Sequence, residues 1–386
     1  MKELKEYLDS KIGKSNNKNL KVLNKFFSIS QLDRLKDRTI AVVGTNGKTS
    51  TARFIYQILS EQQYSSLLFT SPHLVNFVER IRTNNDADFD LYLNDIREFE
   101  ETTNTTLGYF ETLFLLASIC FLESELDFFI CEAGIGGVLD TTSIIQSKNV
   151  VLTNIGEDHQ DLLGYKDIDV LNQKIFVSSN INNLFIGDLS NELIETVEKN
   201  YKHFKSSYYL KDYSRSFNIQ IEDLNTNQKN YMLALKTVTS LLDCNINKNF
   251  SDSDLYSIEG RFEVINKNPV KILDGAHNLD GVIHLLKDYE KQYNSKNTYL
   301  YLGFKTGKDL ETIFNFLNSK KDYKVNLIEE NTFFNQQSPN DFKYFLDNKS
   351  IDYKIVTLDS FSLNKNPSIL LGSLYLIGEY KKRKQT

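Results

Sequence analysis

Gly44-Thr45-Asn46-Gly47-Lys48-Thr49-Ser50 sets glycines, a lysine and hydroxyl side chains in one short run. Backbone N–H groups in such a loop, with a helix starting behind it, cradle phosphate oxygens. Lys48 would reach the β- and γ-phosphates, and the Thr49 hydroxyl would ligate Mg2+. Val42 stands where the longer G-x-x-x-x-G-K-[ST] loop has its first glycine, so the match is to a shorter phosphate loop. The bland alternative is a Gly/Asn turn that only opens a helix. Glu132 follows an apolar run and precedes the turn from Gly134 to Gly137, where an acid could hold Mg2+ or cap the next helix. Asp158-His159 closes a further apolar run in the same way, which makes His159 a candidate ligand beside the loop. Lys174, in DVLNQKIFVSS, reads by itself as a solvated helix lysine. Farther on, Arg261 follows Glu259-Gly260, and Asp274-Gly275-Ala276-His277-Asn278 follows the run VKIL. That second cluster is either a ligand-binding strand end or a structural Asp-Gly loop.

These residues need strands to end where they stand. TIAVV, residues 39–43, is a β-branched run leading into the Gly-rich loop, and TARFIYQILSEQ behind it carries apolar residues at helical spacing. LDFFIC, residues 126–131, reads as a second strand entered from an amphipathic segment over 111–124, and residues 149–156 as a third. Strands alternating with helices predict an α/β fold with a doubly wound, mostly parallel sheet, which collects ligand groups at the carboxyl ends of its strands. The polar stretch at 245–257 is the best linker, so the reading divides the chain into an ATP-binding phosphate-loop domain, 1–250, and a smaller Rossmann-like α/β domain, 258–386. About forty residues precede the loop, too few for a separate domain.

Composition narrows the partners. Lys and Arg number 45 against 51 Asp and Glu in 386 residues, a formal charge of −6, so no basic field exists to hold nucleic acid or an anionic membrane. Cys120, Cys131 and Cys244 are odd in number and widely spaced, which points to reduced thiols. The N-terminus lacks the apolar core of a signal peptide, and the longest apolar run, 113–122, is half of the ~20 residues that cross a bilayer. A cytoplasmic protein is expected.

As a set, the motifs are familiar. GTNGKTST at 44–51, TSPHLVNFVERIR at 70–82, YFETL at 109–113, CEAGIGGVLDTT at 131–142, NIGEDHQDLLG at 154–164, GRFEV at 260–264, LDGAHN at 273–278 and GSLYLIGE at 372–379 resemble the folylpolyglutamate synthase/dihydrofolate synthase family. That family belongs to the Mur ligase superfamily of ATP-dependent amide-forming ligases. The resemblance is collinear from about residue 40 to the C-terminus. It implies ligation of L-glutamate to a folate or dihydropteroate carboxylate through an acyl phosphate.

The resemblance also assigns residues. Gly44, Thr45, Asn46, Gly47, Lys48, Thr49 and Ser50 would bind ATP, and Ser71, Glu132 and His159 fall where the family places ligands of two Mg2+ ions. Lys174 matches the lysine that the family carbamylates, which gives it a chemical reading in place of the bland one. Arg261 and Asp274 resemble the pair that closes over ATP, His277 a residue near the transferred phosphate and incoming glutamate, and Asn230 an asparagine near the adenine. A monomer is implied, and a monovalent cation is a further candidate cofactor. Thr49 replaces the usual glycine, Val138 a common arginine and Ser143 a common asparagine, while the N-terminal segment lacks the Pro and Gly pattern of members that bind pterin. The alternatives are a polyglutamate synthase alone or a Mur-type ligase acting on another carboxylate. A peptidoglycan-precursor ligase would need a whole domain ahead of the loop, and a simple P-loop ATPase leaves LDGAHN and GSLYLIGE unexplained. A non-catalytic module gives no reason to keep Lys48, Glu132, His159 and Lys174.

Overall fold

The computed structural model describes residues 2–14, 20–83, 89–156, 160–164, 166–200, 204–246, 257–349 and 351–385. Two compact units account for the chain: Met1–Ser71, Arg80–Leu224 and Gln228–Lys248 form the first, and Pro72–Glu79, Asn225–Asn227 and Asn249–Thr386 the second. The division differs from one cut at 245–257, because two short segments from within the first unit's span join the second. Segment 72–79 does so for a packing reason: Leu74 is buried in the second unit's core with Leu273, Tyr301, Phe361, Leu374 and Ile377. Gly378 has no side chain where the Leu74 carbonyl lies, and any Cβ there would collide with it.

The first unit holds strands β1 (Thr39–Val43), β2 (Ser66–Phe69), β3 (Ile81–Thr83), β4 (Phe128–Glu132), β5 (Asn149–Asn154), β6 (Asn183–Asp188) and β7 (Ser206–Tyr209) in the order β3-β2-β4-β1-β5-β6-β7. All pairings are parallel except β2 with β3. The central strands are buried almost throughout, with mostly apolar residues, because helices cover both faces. Ala41, Val43, Val150, Leu152, Leu184 and Ile186 point to one face, against Leu171, Ile175, Leu193 and Val197 of two helices. The alternate residues Ile40 and Val42 are equally buried on the other. β2 and β4 lie on one side of β1 and β5 to β7 on the other, so the chain reverses its winding at β1, where doubly wound sheets bind ligands.

The 111–124 segment is not amphipathic. Helix Tyr109–Glu123 is buried at every position from Glu111 to Leu122, since helices Lys2–Asp9, Ile29–Arg38 and Leu93–Thr103 cover the side away from the sheet. A helix apolar all round is an interior helix. The N-terminal residues are thus part of the first unit's core. Lys11 locks them there: its ammonium lies 2.6 Å from the Glu100 carboxylate, which also accepts the Leu107 N–H at 2.6 Å.

The second unit holds β8 (Glu263–Lys267), β9 (Val270–Asp274), β10 (Thr298–Leu302), β11 (Tyr323–Ile328), β12 (Tyr353–Val356) and β13 (Ser368–Leu371) in the order β12-β11-β10-β13-β9-β8, with only β8 antiparallel. Ile272, Leu300, Leu302, Ile369 and Leu371 face one core while Leu273, Tyr301 and Leu370 face the other, again with helices on both sides. Most of the polar stretch at 245–257 lies outside the described residues. Among the described residues, no helix is long and apolar enough to cross a membrane.

Candidate active site

In the first unit the loop between β1 and helix Lys48–Glu61 is held by its neighbour β5. Thr45 N donates to Asn154 O at 3.0 Å, Asn46 N to Asn154 Oδ1 at 2.7 Å, and Thr153 Oγ1 to Asn46 O at 2.6 Å. Both glycines are required by space. Gly44 has φ +149° and lies against the Thr153 hydroxyl, and Gly47, at φ +81°, leaves a Cβ only 2.6 Å from Asn230 Oδ1. These contacts and close approaches constrain the backbone of the loop on both sides.

Three charged side chains converge on it. Lys48 Nζ donates to Gly44 O at 2.9 Å and Thr45 O at 3.0 Å. Lys174 Nζ donates to the same Gly44 carbonyl at 2.8 Å and is only 3% exposed. The solvated reading of Lys174 is therefore wrong: its helix, Asp167–Ile175, ends against the Gly-rich turn, which turns the side chain inward. Val138 N donates to Gln173 O at 2.9 Å, and a Cβ on Gly137 would collide with the Gln173 and Lys174 carbonyls.

Glu132, the last residue of β4, is 2% exposed. Its Oε1 accepts from Thr49 Oγ1 at 2.8 Å and its Oε2 from Ser71 N at 2.9 Å. It does not cap a following helix. Hydroxyl and carboxylate oxygens beside a phosphate loop match the hard ligands of Mg2+, which usually takes one or two carboxylates and completes its shell with phosphates and water. Thr49 and Glu132 are therefore the residues that would hold the ion; among the described residues no cluster of three or more His, Cys, Asp and Glu could do so without such help. His159 lies outside the described residues.

Sequence reasoning passed over several residues that build this site. Asp140 is buried and organises the Gly-rich turn, accepting from Ile135 N at 2.8 Å, Thr142 N at 3.0 Å and Thr142 Oγ1 at 2.8 Å. Burial raises the Cys131 thiol pKa well above its usual value, with Asp140 and Glu132 adding to it, so Cys131 is an inert core residue. Thr153 and Asn154 were readable only as strand residues.

In the second unit Arg261 and Asp274 also come together. Asp274, ending β9, accepts from Phe262 N and from Ala276 N at 2.7 Å each. Burial raises its carboxyl pKa, against the opposing pull of Arg261 and the two N–H donors, with the Asp288 carboxylate adding to the rise. A Cβ on Gly275 would collide with the Arg261 guanidinium, so this glycine makes room for the arginine. His277 Nδ1 lies 2.8 Å from Gly275 O, and Asn278 caps helix Leu279–Gln292 through Gly281 N at 2.8 Å.

A Gly-rich loop at the switch point of a parallel sheet, facing a hydroxyl and carboxylate pair, is arranged as nucleotide sites in doubly wound sheets are. The Mur ligase middle domain matches residues 42–266. A dihydrofolate synthase/folylpolyglutamate synthase of Buchnera aphidicola is 30% identical over 339 residues, covering 82% of this chain and 80% of the relative. The chain belongs to the dihydrofolate synthase/folylpolyglutamate synthase family of ATP-dependent ligases. Its fold is shared by Mycobacterium tuberculosis folylpolyglutamate synthase complexed with ADP, at a TM-score of 0.79 and 18% identity over 99% of this chain and 97% of the other. The Yersinia pestis bifunctional enzyme complexed with AMPPNP and Mn gives 0.76 at 20% identity over 95% and 93%.

Proposed function

We propose that this ligase joins L-glutamate to the carboxylate of dihydropteroate or of a reduced folate. The observation that supports this reading best is the convergence of Lys48, Thr49, Glu132 and buried Lys174 on one phosphate loop in a chain of this family. The acceptor carboxylate attacks the γ-phosphorus of ATP, the bond to the β-γ bridging oxygen breaks, and ADP leaves. The glutamate amine then attacks the acyl carbon, phosphate departs, and the amine proton is released. Carboxylate and triphosphate are both anionic, so the chain's task is to neutralise charge and align the reactants.

Gly44 to Ser50 hold the phosphates through backbone N–H groups, and Lys48 exchanges its loop carbonyls for β- and γ-phosphate oxygens. Thr49, Ser71, Glu132 and His159 are assigned to Mg2+, which supplies charge neutralisation when bound. A carbamate on Lys174, formed from its neutral amine and CO2 with loss of a proton, would replace a buried cation by an anionic oxygen ligand. Asn230 is assigned to the nucleotide, Arg261 and Asp274 to ATP, and His277 to the incoming glutamate. The enzyme is proposed to act as a cytoplasmic monomer.

Incorporation of labelled L-glutamate with Mg·ATP, run in parallel on dihydropteroate and a reduced folate monoglutamate, tests the reading. Product from both marks a bifunctional synthase, and product from the folate alone a polyglutamate synthase. ATP turnover with product from neither would overturn the proposed acceptor.

A further inference from the structure

Asp188 and Lys229 have no part in the chemistry assigned above, yet they stand next to residues that do. Asp188 ends β6 and pairs in register with Asn154 of β5, whose side chain holds the Asn46 N–H at 2.7 Å. Lys229 Nζ lies 2.7 Å from Asp188 Oδ2, and both side chains are only partly exposed, 20% and 40% respectively. Lys229 precedes Asn230 on helix Thr226–Leu242, and Asn230 is 8% exposed with its amide against Gly47. β6 is itself pressed onto the loop's support, since a Cβ on Gly187 would collide with the Thr153 carbonyl.

The phosphate loop is thus gripped on two sides, at Asn46 by Asn154 and at Gly47 by Asn230. We infer that the Asp188–Lys229 ion pair is a positioning device for nucleotide binding: it ties helix Thr226–Leu242 to the end of β6 and so sets the distance from Asn230 to Gly47. The tie spans 41 residues of chain. Neither residue is assigned above to the acceptor or to glutamate, so its loss is expected to fall on the nucleotide. The inference rests on the reading of Gly44 to Ser50 as the nucleotide loop.

Calorimetric titration of the full chain with Mg·ADP, and steady-state KM for ATP and for folate, separate the two ideas. Asp188→Asn and Lys229→Met are each expected to raise the Kd of Mg·ADP and the KM for ATP about 2- to 5-fold, the upper part of the range for a partly exposed ion pair, with the folate KM and melting temperature near wild type. Lys229→Arg should restore wild-type binding, and the double variant should be no worse than either single one. Wild-type Kd in both single variants, or additive losses in the double variant, would overturn the positioning role. A wild-type chain that binds no Mg·ADP would overturn the nucleotide loop itself.

Discussion

Lys48 and Lys174 donate to the same Gly44 carbonyl, 2.9 and 2.8 Å away, but they answer to different demands. Lys48 starts its helix and can swing from the loop carbonyls to a phosphate. Lys48→Ala should lower kcat/KM by about 10²- to 10³-fold or more, the size seen when one preorganised donor to developing charge is removed, while the melting temperature stays near wild type. Full ligase activity in that variant would refute the loop assignment. Lys174 is enclosed at 3% exposure, and the role proposed for it is that of a carbamate. Lys174→Ala should cost a similar factor, and added bicarbonate or a short-chain carboxylate should return part of the rate by supplying the missing oxygens. If mass spectrometry finds only unmodified lysine in fully active wild-type protein, the carbamate leaves the mechanism.

At the scale of elements, the site depends on one close approach between a turn and a helix end. The turn after β4 reaches the last turn of helix Asp167–Ile175 because Gly137 has no side chain and Val138 N can donate to Gln173 O at 2.9 Å. Gly137→Ala forces backbone against backbone, which no rotamer change relieves. A destabilisation of about 1–3 kcal/mol is expected from overpacking of this kind. Displacing the helix also withdraws Lys174 from Gly44, so activity should fall more than stability does. Parallel melting and rate measurements check this, and unchanged kinetics with a lowered melting point would detach the turn from the site.

At the scale of the molecule, the two units are not two consecutive pieces of chain. Segment 72–79 belongs to the second unit, where Glu79 folds it by accepting from Leu74 N at 2.8 Å, Val75 N at 2.9 Å and Asn76 N at 2.7 Å. Burial alone would raise the Glu79 carboxyl pKa, but the three N–H donors together with His73 outweigh it, and the net shift is downward. A carboxylate with a depressed folded pKa adds stability above its ordinary range, and that stability is lost as pH falls through the folded value. Glu79→Gln should therefore lower the melting temperature at neutral pH and flatten its decline below about pH 4.5. An identical acid profile in wild type and variant would show that Glu79 is not the group responsible.

How much was legible follows from how local each feature is. Residues 44–50 are contiguous and flanked by a β-branched run and an apolar pattern at helical spacing, so loop, strand and helix could be read directly. The alternation of apolar runs with helical spacing likewise determined an α/β fold with parallel sheets, because parallel strands need crossovers and must be covered on both faces. The structure alone decided which distant residues meet that loop. Lys174 lies 130 positions from Gly44 and looks solvated until Gly137 admits its helix. The central helix Tyr109–Glu123 shows only that it is apolar; burial on every side depends on three helices from elsewhere in the unit. Segment 72–79 carries no mark of the unit it joins, since a glycine on a helix near the C-terminus makes the room for it. Local chemistry is written in neighbouring residues, whereas partnership across the chain is settled by which surfaces can pack without collision.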